Sequence, residues 1–433
     1  MSQRVGIVGL SHLGIVASVG LASLGLEVTA VDHAERVAAL TAGRLPVHEP
    51  GLGELLARSA PTFTADYAAL KSCELVIVAL DTVTDELNRS DLSVLDACID
   101  RALPWLPGDG VVALMSQVPV GYTRALSARL RSRRPELKAR LYYWVETLVI
   151  GEALVRYLRP ERIIIGGSEA QVGEPAASEP ALDTLLARFG CPIFRMSYES
   201  AELCKAAINL YLSMSVTYAN ALADLCEATG ASMRALIPAL RGDKRIGPAA
   251  YIRPGLGIAG GNLERDLVHL RELARTKNVD ASLLDLILER SAARYAWLAQ
   301  AVNQALERSG LKPGTRPRVA LWGLAYKKNS RSTRNAVSLR LIADLKARAA
   351  LVVYDPEVIE TPSEVERAPS ALEACRDADA LVIVTDWDEF AALDPAAIRS
   401  ALKSPVVVDA AGVLDPLRAR AAGLTHIAIG EAL

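Results

Sequence analysis

Lys205 and Asn209 stand four residues apart in Glu202-Leu203-Cys204-Lys205-Ala206-Ala207-Ile208-Asn209. On a helix this spacing puts both side chains on one face, where an ammonium and an amide reach one substrate oxygen. That arrangement suits an alcohol becoming a carbonyl: the ammonium offsets charge on a developing alkoxide while the amide fixes the oxygen or a water. An exposed amphipathic face would show the same spacing, and on spacing alone that is the stronger reading. Gly9-Leu10-Ser11-His12-Leu13-Gly14 follows an apolar run and opens a helical pattern, the place of a dinucleotide fingerprint. Its middle position is Ser11 rather than glycine, which adds a side chain where a pyrophosphate approaches and also a hydroxyl able to donate to it. Asp32 ends the second apolar run, placed to accept from ribose hydroxyls and to repel the extra phosphate of NADP; NAD is the expected cofactor.

The elements that must carry these residues alternate. From residue 5 to about 195, short runs rich in Val and Ile (Val5 to Leu10, Val28 to Asp32, Leu75 to Leu80, Val111 to Met115, Leu141 to Trp144, Arg162 to Gly166) are separated by longer amphipathic stretches. Buried strands divided by helices predict a parallel, doubly wound sheet. From about 198 the period becomes helical through Ser200 to Glu227, Met233 to Leu240 and Ala281 to Glu307. Gly310 to Pro317 reads as a linker, after which strands return at Val319 to Gly323, Leu351 to Tyr354, Ala380 to Thr385 and Pro405 to Asp409. Both α/β parts begin with a strand running into glycine (Gly9, Gly323) and continue to a strand ending in aspartate (Asp32, Asp355). Two nucleotide-shaped ligands are expected, with the working site between the two parts.

Composition narrows the classes. The chain has 433 residues, 51% hydrophobic and 23% charged, with 48 Lys and Arg against 50 Asp and Glu for a net charge of -2. It is too long for a single core. It also has no excess of cations for a nucleic-acid backbone; the cluster Arg129, Arg131, Arg133 and Arg134 reads as a solvated helix end. Met1 to Arg4 leads straight into a strand pattern and no run reaches the roughly 18 apolar residues a membrane helix requires, so a soluble, cytoplasmic protein is expected. The six cysteines form no C-x-x-C pair and the five histidines never fall at metal-ligand spacing. Neither structural disulfides nor a metal site is expected.

Further segments carry a likeness. Val47-His48-Glu49-Pro50-Gly51-Leu52, Thr82-Val83-Thr84-Asp85-Glu86, Ser116-Gln117-Val118-Pro119-Val120-Gly121, Asp243-Lys244-Arg245-Ile246-Gly247 and Gly323-Leu324-Ala325-Tyr326-Lys327 resemble, in order and over nearly the whole chain, the UDP-glucose/GDP-mannose dehydrogenase family. The resemblance implies two Rossmann-like doubly wound parallel-sheet domains joined by a helical middle: an NAD domain over 1–197, a dimerising middle with the catalytic helix over 198–309, and a nucleotide-sugar domain over 310–433. It implies oxidation of a primary alcohol to a carboxylate in two steps, through a thiohemiacetal on a cysteine. Catalytic roles fall on Lys205, Asn209, Asp266, Glu146 and the position of Asn262. Cofactor contacts fall on Gly9, Ser11, His12, Leu13, Gly14, Asp32, Thr82 and Gln117. Substrate contacts fall on Glu146, Lys205, Asn209, Arg245, Tyr251, Gly257 and Lys327, with Arg245 reaching across a homodimer.

The departures gather at the chemistry. Pro254-Gly255-Leu256-Gly257-Ile258-Ala259-Gly260-Gly261-Asn262-Leu263-Glu264-Arg265-Asp266 aligns without a gap to the family's Pro-Gly-x-Gly-Phe-Gly-Gly-Ser-Cys-x-Pro-Lys-Asp. Asn262 stands in the cysteine's place, and an amide forms no thiohemiacetal. Cys204 does not replace it, because adjacent helix positions point about 100° apart; it reads as a structural thiol. Gln117 replaces a threonine, Val83 a proline, Arg331 an acid and Ala411 an arginine, while Lys327, Arg334, Asp243, Arg245 and Gly247 persist. Glu146 matches the glutamate of Asn-Pro-Glu-Phe-Leu-x-Glu-Gly, with Val145 in the proline position and Ile150 in place of the second glutamate. The reading is an NAD-dependent oxidoreductase acting on a hydroxyl of a nucleotide sugar, a UDP-sugar first, that stops at the carbonyl. The alternatives are an epimerase working through transient oxidation, direct hydration of the aldehyde at Asp266 leading slowly to acid, a β-hydroxyacid-type dehydrogenase, and a catalytically silent nucleotide-sugar-binding paralogue.

Overall fold

In the computed structural model, residues 2–47, 49–85, 87–168, 177–312 and 314–432 are described. His48 and Glu86, quoted above in two motifs, lie outside them. The chain divides into two compact units, Met1–Ile208 and Asn209–Leu433.

The first unit is built on an eight-stranded sheet. Its strands are β1 (Arg4–Val8), β2 (Glu27–Val31), β3 (Thr62–Thr64), β4 (Leu75–Val78), β7 (Val111–Leu114), β8 (Arg140–Trp144), β9 (Ile163–Gly167) and β10 (Ile193–Ser197), with a small hairpin of β5 (Val83–Thr84) and β6 (Ser90–Asp91) apart from it. The order is β10-β9-β8-β7-β4-β1-β2-β3. From β3 to β8 every pairing is parallel, and the chain leaves β1 toward β2 on one side and β4 on the other. This is the mononucleotide-binding order with its switch point beside β1. The sequence pattern suggested a purely parallel sheet, but β9 runs antiparallel to β8 and β10 is parallel to β9. A fully buried strand is equally apolar in either direction, so alternation cannot reveal the reversal. Val5, Ile7, Leu75, Val76 and Ile77 are completely buried, as strands covered on both faces must be.

Helix α1 (His12–Ser23) follows β1 and is buried from Leu13 to Leu21. Its small residues allow this closeness: a Cβ on Gly14 would lie 1.8 Å from the Gly9 carbonyl oxygen, and one on Gly20 would lie 2.8 Å from the Tyr157 ring. Three of the four clustered arginines after β7 are spent on ion pairs, Arg129 with Asp96, Arg133 with Asp100 and Arg134 with Glu136.

Helix α2 (Tyr198–Thr229) is 32 residues long and contains the boundary between the units. The second unit continues with α3 (Met233–Gly242), α4 (Asn262–Thr276) and α5 (Ser282–Arg308). It ends in a six-stranded sheet of β11 (Arg318–Trp322), β12 (Ala350–Tyr354), β13 (Glu366–Arg367), β14 (Ala380–Ile383), β15 (Val406–Asp409) and β16 (Thr425–Ala428). Its order β13-β12-β11-β14-β15-β16 is parallel throughout and repeats the order of the first sheet's parallel part. The inner face of α5, including Leu298, Val302 and Ala305, joins the core of this sheet. The helical period over Ala281 to Glu307 is therefore the signature of one apolar stripe laid on β-strands.

Candidate functional site

The glycine loop and the strand ends around it form a cradle in the first unit. Gly9 has φ +93° and begins the turn off β1; with Gly14 it lets α1 start against the β1 and β4 ends. Ser11 precedes α1, and its hydroxyl oxygen accepts the Asp81 N–H at 2.8 Å. Its own O–H remains to donate toward a ligand. Asp81 returns the contact, accepting Leu13 N–H at 3.3 Å. The serine that replaces glycine thus ties the loop after β4 to the fingerprint. Asp32 Oδ2 accepts Leu10 N–H and Oδ1 accepts His33 N–H, each at 2.6 Å. A cavity of about 620 Å³ opens here, lined among others by Leu10, Ser11, Asp32, Arg36, Cys98 and Arg101. Burial pushes the Cys98 thiol up to about 11, with Asp32 adding to it; it is a wall of the cavity, not a nucleophile. Thr82, after β4, donates to the Gln117 carbonyl, after β7, which brings these two residues together at neighbouring strand ends. A turn that admits no Cβ, a helix N-terminus, a carboxylate at the end of β2 and a cavity beside it fit an NAD pyrophosphate and adenosine.

His12 is brought into this region but holds a protein partner: its Nε2 lies 3.1 Å from Glu49 Oε2. Glu49 is 5% exposed and also accepts the N–H groups of Gly151 at 3.0 Å and Ala153 at 2.6 Å. It therefore anchors the stretch just after Glu146 and fixes where that residue stands. Glu146 accepts Leu148 N–H through Oε1, while its Oε2 lies 3.6 Å from Lys205 Nζ. Lys205 and Glu146 side chains are only 10% and 16% exposed, so each charge depends on the other. Cys204, next to Lys205, packs against the core of the first sheet. Three residues before Lys205, Glu202 accepts Gly121 N–H at 2.5 Å and Thr123 N–H at 2.7 Å, and burial raises its pKa; it holds the loop after β7.

One turn on from Lys205 along α2, the Asn209 amide donates to Asp266 Oδ2. Asp266 is 3% exposed and lies in the first half of α4; Arg265 Nε approaches its other oxygen at 3.4 Å. Asn262 is the first residue of α4 and is exposed. The turn before it requires glycine twice. Gly260 and Gly261 both have φ +90°, and an added Cβ would lie 2.3 Å from the Tyr326 ring at the first and 2.8 Å from Arg334 Nε at the second. Glu264 takes over the start of the helix, accepting Gly261 N–H at 3.0 Å and the Asn335 amide at 3.2 Å. Burial pushes the Tyr326 hydroxyl up to about 12, and Glu264 adds to it. Asn262 thus sits at a helix start capped by Glu264, a buried carboxylate two residues further on.

Four substrate-binding expectations remain in the second unit. Gly257 has φ +90°, and the adjoining Ile258 N–H donates to Ser291 Oγ at 2.9 Å, so this glycine seats the loop on α5. Tyr251 is 49% exposed. Lys327 lies over the Tyr326 ring at 5.9 Å. Arg245, 89% exposed, grips its own neighbour Asp243 through two bonds of 3.0 and 2.7 Å; the single chain does not gather it to Asn209 and Asp266. Sequence reasoning assigned no role to Glu49, Glu202 or Glu264. The signal for them was an acid inside an otherwise apolar or glycine-rich segment, which is where a buried carboxylate caps backbone N–H groups.

This is the architecture of a two-sheet, NAD-dependent oxidoreductase acting on a CH–OH group. The sequence models of the UDP-glucose/GDP-mannose dehydrogenase family match in three successive pieces: the NAD binding domain over residues 3–179, the central domain over 199–291 and the UDP binding domain over 320–416. UDP-glucose 6-dehydrogenase of Pseudomonas aeruginosa is 30% identical, covering 99% of this chain and 98% of that one. The Rhizobium meliloti UDP-glucose 6-dehydrogenase is 29% identical over 99% of this chain and 100% of its own. The solved UDP-glucose dehydrogenase of Pyrobaculum islandicum superposes with a TM-score of 0.84 at 26% identity, covering 100% of this chain and 98% of that one. The chain belongs to the UDP-glucose/GDP-mannose dehydrogenase family, with NAD as cofactor and a nucleotide sugar as substrate. Among the described residues no helix is long and apolar enough to cross a membrane, and no group of three or more His, Cys, Asp or Glu is placed to hold a metal ion.

Proposed function

We propose that the protein oxidises the primary alcohol of a UDP-sugar, UDP-glucose first among candidates, and releases the carbonyl product. The relatives' names support the substrate; the observation that carries the stop is Asn262, an amide at the start of α4 where the family pattern has the thiol. Ser11, the α1 N-terminus and Asp32 would hold NAD, which when bound accepts the carbinol hydrogen with its electron pair. The protein's own work is proton and charge. Lys205, oriented by Glu146, sets an ammonium against the oxygen as it gains negative charge. Asp266, steadied by Asn209, accepts the hydroxyl proton directly or through one water. The C–H and O–H bonds break, the C=O double bond forms, and one proton is left on the protein. With no thiol to add to that carbonyl, the second oxidation lacks its covalent intermediate.

A homodimer is part of this proposal. Tyr211, Met214, Tyr218 and Leu225 on α2 are 55%, 38%, 47% and 60% exposed, at spacings of three, four and seven that make one apolar stripe suited to a second helix. Arg245, exposed in the single chain and held there by Asp243, would serve a neighbouring subunit. Incubation with NAD and a panel of UDP- and GDP-sugars tests the reading. NADH formation with a product lacking two hydrogens supports it; an isomer without net NADH would make the enzyme an epimerase, and binding without turnover a silent paralogue.

A further inference from the structure

We infer that a groove on the first unit, lined by Arg124, Ser127, Arg131 and Ser168, binds a small ligand through a phosphate or diphosphate group. The groove has a volume of about 420 Å³. Arg124, Ser127 and Arg131 follow one another at spacings of three and four on the helix Tyr122–Arg133, so they form one face of it. Ser168 meets them from the end of β9.

Arg131 is the clustered arginine that no carboxylate holds among the described residues, whereas Arg129, Arg133 and Arg134 each have an acidic partner. Below it lies Tyr198, the first residue of α2 and 1% exposed, whose hydroxyl donates to the Leu141 carbonyl at 2.6 Å. Burial pushes that hydroxyl up to about 12, against opposing pulls from Ser168, Ser127 and Arg131. Two serine hydroxyls and a guanidinium are therefore grouped around one fixed oxygen. The Tyr198 ring in turn supports Arg124, whose Cζ lies 5.6 Å from its centre. Arg124 grips Glu199 through Nε and Nη2 and holds that carboxyl below its ordinary range. Both side chains of this pair are open to water, at 50% and 37% exposure, so the pair is weak and yields its guanidinium to a more highly charged anion.

The chemistry of the lining selects the ligand. Two guanidinium forks and two hydroxyls, with no carboxylate among the lining residues, match the several acceptor oxygens and double charge of a phosphate group. A long polyanion needs a continuous basic stripe, and here the neighbouring arginines are already neutralised. The groove shares no lining residue with the cavity beside Asp32. It adjoins the first turn of α2, where Glu202 holds the loop after β7 and from which the helix runs on to Lys205. A ligand in this place stands as an effector, not as cofactor or substrate.

Calorimetric titration with inorganic pyrophosphate, on the full chain saturated with NAD and UDP, tests this. The wild-type protein is expected to bind pyrophosphate. Arg131→Gln is expected to weaken that binding about 10-fold or more, the worth of a charge-assisted contact, with NAD affinity and Tm unchanged. Glu199→Gln, which releases Arg124 from its carboxylate, is expected to tighten it. Absence of binding to the wild-type protein overturns the assignment, and so does an affinity that Arg131→Gln leaves untouched or that Glu199→Gln lowers. A single-stranded oligonucleotide that displaces pyrophosphate and binds more tightly with length also overturns it, by making the groove part of a polyanion surface.

Discussion

The Asn209 side-chain amide donates to Oδ2 of Asp266, a carboxylate only 3% exposed. Asn209 lies one helical turn on from Lys205 along α2, and Asp266 is the proton acceptor of the proposed mechanism. Asp266→Asn keeps the shape and removes the acceptor. It is expected to lower kcat by about 10²-fold to 10⁴-fold, the usual contribution of a placed acid or base, with NAD affinity unchanged in a direct titration. An undiminished kcat removes Asp266 from the chemistry.

Lys205 and Glu146 form a nearly buried ion pair. Lys205→Ala is expected to abolish oxidation and, by leaving Glu146 charged without its partner, to destabilise the fold by roughly 3–5 kcal/mol. Lys205→Ala with Glu146→Ala is expected to regain much of that stability and none of the activity. Denaturant unfolding of the three proteins, together with NADH formation, separates the two roles. Turnover in either alanine variant contradicts the assignment of Lys205.

Asp32 accepts the N–H groups of Leu10 and His33, two residues that line the cavity beside it. Asp32→Ala is expected to raise the Kd for NAD about 10-fold or more and to narrow the preference over NADP. Fluorescence titration with both cofactors checks it. An unchanged preference means that the carboxylate does not read the ribose.

Much of this was legible in the residues. Fingerprint, Asp32 and the paired Lys205 and Asn209 are local patterns, and local patterns survive folding. The same holds for the two parallel strand sets, whose continuous apolar runs follow from burial on both faces. Less visible was anything set by distant partners. The reversal of β9 and β10 leaves no trace in hydropathy. Glu49 belongs to a recognisable motif, yet its task, holding the residues that follow Glu146, joins positions about a hundred apart in the chain. Asn262 was read from its own segment, whereas the bonds of Glu264 to Gly261 and Asn335 and the close approach of Arg334 to Gly261 tie that helix start to residues about seventy positions further on.

His269 lies one turn beyond Asp266 on α4, and burial holds its pKa below the ordinary value of 6.5 despite opposing pulls from Asp266 and Glu272. The folded chain binds fewer protons there than the unfolded chain does. Stability should therefore fall as pH drops from about 6.5 toward the lowered folded value, and it should be unaffected by this group well above that window. His269→Gln, which never takes up the proton, is expected to flatten this part of the Tm against pH curve. An identical slope in the two proteins contradicts the burial argument.

The central claim is the proposal that oxidation stops at the carbonyl because Asn262 offers no thiol, and counting NADH per UDP-sugar consumed under anaerobic conditions tests it most directly. The wild-type protein should give one NADH and a carbonyl product. Asn262→Cys should give additional NADH and acid, faster when Glu264→Gln also removes the carboxylate that disfavours a thiolate at the start of α4. Two NADH and a carboxylate from the wild-type protein would contradict the account.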